Sequence, residues 1–203
     1  MANGLVGVRM MSNPAITPPR WISADLELMP DDSKRYEIVD GELYVSKQPH
    51  WHHQATCGRI FAVLDAWSVA TGLGEASLAP GVIFAEDDDV APDVVWASAQ
   101  RLTMALDDSG KLRTAPELAV EVLSPGVLNE RRDREAKLKL YARRGVDEYW
   151  IVDWRLRAVD VYRRSGATLE LFARLPGEDV LESPLLPGFI APLSRVFPAR
   201  DRW

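Results

Sequence analysis

A chain of 203 residues with 47% hydrophobic and 27% charged residues has the composition of one globular domain with a sizeable core. No apolar run approaches the roughly 20 residues that a bilayer span requires, and residues 1–20 lack a basic start followed by an apolar stretch, so a cytoplasmic location is expected. The single cysteine, Cys57, excludes an intrachain disulfide and a cysteine zinc cluster, and the net charge of −6 argues against indiscriminate, salt-driven nucleic-acid binding.

Residues 1–20 contain "NPAITPPR" and show no periodicity, which predicts a flexible tail ahead of one domain over 21–203. "SADLELMPDD" predicts a short helix with Ser23 as its N-cap, ending near Pro30. "RYEIVDGELYVS" is two alternating runs joined by Asp40 and Gly41, a hairpin signal because both turn positions favour positive φ. From His53 to about Ala70, Cys57, Ile60, Phe61, Leu64 and Trp67 recur three and four apart, giving a helix with one apolar face turned to a sheet.

Two further strands are expected in "GEASLAPGVIFAE" and "VAPDVVWAS", followed by a partly helical stretch over 99–114. "PELAVEV" reads as a strand with two apolar faces, helix 128–144 closes at Gly145, and "DEYWIVDW" is a strand parallel to the first. "AVDVYRR" and "TLELFAR" continue as an antiparallel meander, whereas "SPLLPGFIAPLSRVF" holds too many prolines for a regular element. The order of elements predicts an α/β domain whose mixed central sheet is covered on both sides.

Two carboxylates stand in apolar strands. Glu121 interrupts "LAVEVL", and Asp93 lies between Pro92 and "VVW". Leaving such a group charged and unpaired in an interior is costly. Each residue alone has a structural explanation, as a strand-end or ion-paired residue; together, on neighbouring strands, they suit a hard divalent cation that takes oxygen ligands.

Projected at 3.6 residues per turn, Lys137 falls at the centre of the apolar face of helix 128–144, between Leu140 and Tyr141, with Arg132, Glu135 and Lys139 opposite. A snorkelling lysine or an (i, i+4) pair with Asp133 would be the structural explanation; an ammonium directed at Glu121 is the functional one. Metal, carboxylates and lysine together suit phosphodiester hydrolysis.

"RYEIVDGEL", "APDVVW", "PELAVEVLSP", "KLKLYARRGVDEYWIVD" and "SPLLPGF" resemble, in order and spacing, the Uma-two family, restriction-endonuclease-like proteins of the PD-(D/E)XK nuclease superfamily. The resemblance spans about residues 21–197. It implies a restriction-endonuclease-like α/β/α core with an N-terminal hairpin and a C-terminal antiparallel meander. It also implies cleavage of DNA dependent on Mg²⁺ or Mn²⁺. By position, Asp93 and Glu121 are the acidic ligands; in the leading reading the backbone carbonyl of Val122 joins them at the ion. The superfamily lysine two residues after the glutamate is replaced here by Leu123, and the family position on the next helix is Lys137. Glu37 matches an acidic position that could add a ligand, with Glu42 across the hairpin competing. His53 matches a family histidine, with a packing or capping role at the helix start as its alternative.

The leading expectation is thus a metal-dependent endonuclease using Asp93, Glu121 and Lys137. One rival is a nuclease-fold module that binds DNA or a protein without cutting. Residues 131–164 could serve it, holding 11 Lys or Arg against 6 Asp or Glu. Another is a homo-oligomer, such as a dimer, paired through edge strands in "YWIVDW" and "AVDVYRR".

Overall fold

The computed structural model describes residues 19–197, so the expected flexible tail lies, but for its last two residues, outside the described residues. Asp40 and Gly41 adopt φ of 54° and 73° and turn β1 (Arg35–Val39) into β2 (Glu42–Ser46), as the dipeptide requires. Short helix α1 (Ser23–Leu26) precedes them. Ser23 is its first residue and not its cap; Ile22 holds that position, its backbone N–H donating to the Asp25 carboxylate at 2.9 Å.

Helix α2 (Trp51–Thr71) starts two residues earlier than its apolar pattern suggests, because the His50 ring caps it by accepting from the His52 N–H, and Gly72 ends it in the left-handed region. The next stretch makes four strands where two are expected: β3 (Gly74–Leu78), β4 (Val82–Ala85), β5 (Asp88–Val90) and β6 (Val94–Ser98). Pro80 and Gly81 interrupt the first run, and Ala91-Pro92-Asp93 interrupts the second. At each break the chain passes between two sheets. One is four-stranded in the order β2-β1-β5-β4.

After α3 (Ala99–Ala105) come β7 (Leu118–Val122), α4 (Val127–Arg131), a π-helical turn (Arg132–Lys137) and α5 (Leu138–Arg144), closed by Gly145 at φ 97°. They lead to β8 (Glu148–Asp153), β9 (Ala158–Ser165) and β10 (Thr168–Pro176). The second sheet runs β10-β9-β8-β7-β6-β3, with only β7 and β8 parallel, so it is mixed as expected. Its edges are β10 and β3. The two segments proposed above as edge strands for oligomerisation, β8 and β9, are interior and have both hydrogen-bonding sides occupied.

The proline-rich tail is more regular than expected. β11 (Val180–Glu182) pairs with β12 (Ile190–Pro192), and α6 (Leu193–Val196) follows. Pro184 and Pro187 fall in the connection and Pro192 at the strand end, where a missing N–H removes no ladder bond. Leu118, Val120 and Val122 of β7 pack with α2 and this C-terminal unit on one face of the central sheet. Ala119 and Leu123 pack on the other with Leu140 and Tyr141 of α5 and the four-stranded sheet. Asp88, fully buried, ties that second layer together by accepting from the Asp40 N–H at 2.7 Å and from Arg143 and Arg144.

Candidate active site

Glu121 belongs to the second face, under α5 and the π turn. Lys137 Nζ donates to Glu121 Oε1 and to Glu37 Oε1, both at 2.8 Å, and all three side chains are buried. Tyr141, one helical turn after Lys137, donates to the same Glu121 oxygen at 2.7 Å. The inward direction of Lys137 is as the helical projection has it, but its partners are Glu121 and Glu37, not Asp133. Glu37 points inward and accepts from the Ala91 N–H at 2.9 Å, whereas Glu42 is exposed and bonded by Tyr44.

Arg132 departs from the projection, which put it on the far side. The π turn is wider than an α turn, so residues five apart lie one above the other. Arg132 therefore shares the face of Lys137, its Nη1 3.9 Å from Glu37 Oε2 and its Nε donating to Asp133 at 2.8 Å.

Asp93 lies where the chain leaves the four-stranded sheet. Val94 of β6 is opposite Val120 of β7, so one step further in the same antiparallel register sets Asp93 beside Glu121. The Val122 N–H donates to Asp93 Oδ2 at 2.9 Å, His53 Nε2 is 3.2 Å from the same oxygen, and Arg35 Nη1 donates to Oδ1 at 3.1 Å. The cap of α2 is His50, which leaves the His53 ring, one turn in, to face Asp93. Leu123, at the position where the superfamily places its lysine, is buried among apolar residues.

The two carboxylates that share Lys137 differ in charge preference. Burial pushes the Glu121 carboxyl up to about 7; Lys137 opposes this, and Asp93, Asp133 and Glu37 add to it. Glu37 is equally buried, but Lys137, Arg132 and the Ala91 N–H hold it below the usual carboxylate range. Burial also disfavours charge on Asp93, yet His53, Arg35 and the Val122 N–H outweigh it and hold that carboxyl well down. Burial would lower the Lys137 ammonium, but Glu121 and Glu37 raise it.

A pH dependence of stability follows for the metal-free protein. Because the folded state holds the Glu121 proton up to about 7 while an ordinary glutamate releases it near 4.5, the folded state binds more protons in that window. Stability must then fall as pH rises through it. Asp133, raised by burial, acts in the same direction, and His53, raised by Asp93 against burial, prolongs the decline above 6.5. Urea midpoints measured from pH 4.5 to 8 should fall, and Glu121→Gln should flatten the slope; an unchanged slope would show that Glu121 does not titrate there.

The carboxylate set suits a hard divalent ion. Among the described residues both donors to Glu121 meet Oε1, which leaves Oε2 for a cation, and the competitor at Asp93 Oδ1 is Arg35, about one-third exposed. His53, Cys57 and Asp93 also bring three possible ligand atoms within 4.8 Å of one another. Burial pushes the Cys57 thiol far up, so it does not offer a ready thiolate.

A pocket of about 280 Å³ opens onto Asp93 and His53, and Lys34, Arg35, Lys47 and Arg132 are the cations that line it, three of them paired with Asp32, Asp93 and Asp133. That signal is dispersed along the sequence. Much of the basic stretch 131–164 is likewise paired: Arg134 with Asp160, Arg143 and Arg144 with Asp88, Arg155 with Asp153 and Glu130, and Arg163 with Glu148.

No helix among the described residues is long and apolar enough to cross a membrane. A search of the curated proteins returns no match. Among solved structures, a "putative nuclease belonging to DUF820" from Anabaena variabilis ATCC 29413 superposes with a TM-score of 0.69 at 17% identity, covering 87% of this chain and 97% of that one. This likeness establishes the shared fold. The type IIG restriction endonuclease BpuSI matches 70% of this chain and 15% of its own length, at 16% identity and a TM-score of 0.36, too low to carry an argument. The family model described as "Uma2: Putative restriction endonuclease" matches residues 23–194, and the chain therefore belongs to that family of restriction-endonuclease-like proteins.

Proposed function

We propose that this protein is a metal-dependent endonuclease that hydrolyses phosphodiester bonds in DNA. The observation that carries the reading is the buried ammonium of Lys137, 2.8 Å from Glu121, on the strand neighbouring Asp93. Asp93, Glu121 and the backbone carbonyl of Val122 would hold Mg²⁺ or Mn²⁺, with Glu37 as an auxiliary acid. An ion bound there supplies Lewis-acid polarisation of the phosphate and a more acidic water.

The remaining work falls to the chain. Lys137, kept protonated by its two carboxylates, acts as a fixed donor that orients the attacking water and stabilises charge developing on the phosphate, rather than as a base. Tyr141 fixes the Glu121 carboxylate, and Glu37 fixes the ammonium. Lys47 on the pocket wall draws in the backbone phosphates. Purified protein should nick supercoiled plasmid in Mg²⁺ or Mn²⁺, and excess chelator should stop it. Plasmid left intact over a range of both ions would reject the proposal.

One observation favours a module that binds without cutting: both Asp93 oxygens already meet internal donors, Arg35, His53 and the Val122 N–H. Titration with Mn²⁺ separates the two readings. A cutting enzyme binds the ion and turns over; a silent module holds DNA in chelator and never cleaves it.

A further inference from the structure

We propose that the stacked rings of His50 and Trp154 bind an unpaired nucleobase of DNA, so that the preferred substrate carries a single-stranded segment beside the phosphate to be cut. The inference rests on the nuclease reading above and names its substrate class.

The His50 ring is exposed and lies on Trp154 with centroids 4.9 Å apart and planes 11° from parallel; His52 tilts against both, with centroids 5.3 Å away. Two anchors hold the stack in place. His50 is the cap of α2, and the Trp154 indole N–H donates to the Leu123 carbonyl at 3.2 Å. Leu123 is two residues past Glu121, and its neighbour Ser124 lines the pocket at Asp93, as does Pro49, the residue before His50. Stack and pocket therefore share a wall. Trp51, next in the chain, is 76% exposed and puts a further uncovered ring at this rim.

An aromatic face can hold any base, because every base has a π face. A paired base, however, has both faces covered by its neighbours in the duplex. Only a base that has left the stack can extend the Trp154–His50 pile. The pocket wall beside it, with Lys47, suits the phosphate of that same nucleotide.

The test is fluorescence anisotropy in Ca²⁺, using a labelled blunt duplex and the same duplex with a four-nucleotide flap. The wild-type protein should prefer the flapped DNA by about 5- to 150-fold, the span expected for one stacked base. His50→Asn keeps a helix-capping side chain and removes the ring, so it should lose most of that preference; His50→Phe, which keeps a ring, should retain it. Affinity for the blunt duplex should change less than about twofold in both. Equal wild-type affinity for the two DNAs, or His50→Asn retaining the preference or weakening both DNAs alike, overturns the stacking role and leaves the nuclease reading standing. Binding of neither DNA by the wild-type protein overturns both.

Discussion

Lys137→Met should destabilise the protein by about 3–5 kcal/mol, the usual result of removing one partner from a buried ion pair. The methionine fills similar space, so the loss is electrostatic. Glu37 and Glu121, both buried, currently face the same nitrogen at 2.8 Å. Without it, Glu37 keeps Arg132 and the Ala91 N–H, while Glu121 keeps, among the described residues, the Tyr141 hydroxyl alone. Urea denaturation at pH 8 measures the effect. Adding Glu37→Gln and Glu121→Gln to Lys137→Met should recover most of the stability, because the stranded charges go too. A single variant as stable as the wild type would mean that Lys137 does not neutralise these acids.

Glu121→Gln has the opposite profile. The amide can still accept from Lys137 and Tyr141, and the carboxyl it replaces is one whose charge burial already disfavours. Stability at pH 8 should therefore stay within about 1 kcal/mol of the wild type or rise, as isosteric neutralisation of an unfavourable buried charge allows. Cleavage should nonetheless fall by at least about 100-fold, the order of loss when one fixed electrostatic partner of the reacting phosphate is removed. Plasmid nicking in Mg²⁺, alongside a thermal melt of the same preparation, checks both halves. A variant that melts normally and cuts normally removes Glu121 from the chemistry.

The features legible in the sequence were those with a local physical cause. Asp40-Gly41 demanded positive φ, Gly145 closed its helix, and the apolar alternation in "LAVEVL" placed Glu121 on the face that α5 covers. The inward direction of Lys137 was legible because an α-helical projection is a good guide over one turn. Arg132 was misplaced because one wider turn changes the period, and nothing in "NERRDREAK" announces it. Arg35 and His53 beside Asp93 depend on which sheet each segment joins, a choice made by contacts more than 30 residues apart. The four strands seen as two, and the small sheet hidden by prolines, were lost for the same reason: edge pairing tolerates breaks that a run of residues cannot reveal.

The loosened coil over Arg132–Lys137 works as a spacer of one residue. Wound instead at the ordinary 100° per residue, Arg132 and Lys137, five positions apart, would stand about 140° from each other around the axis. The guanidinium and the ammonium would then part company, leaving the acid on the hairpin with half its escort. On this view the irregularity lets two cations from one helix attend a single carboxylate, an arrangement that uniform winding denies to neighbours five apart.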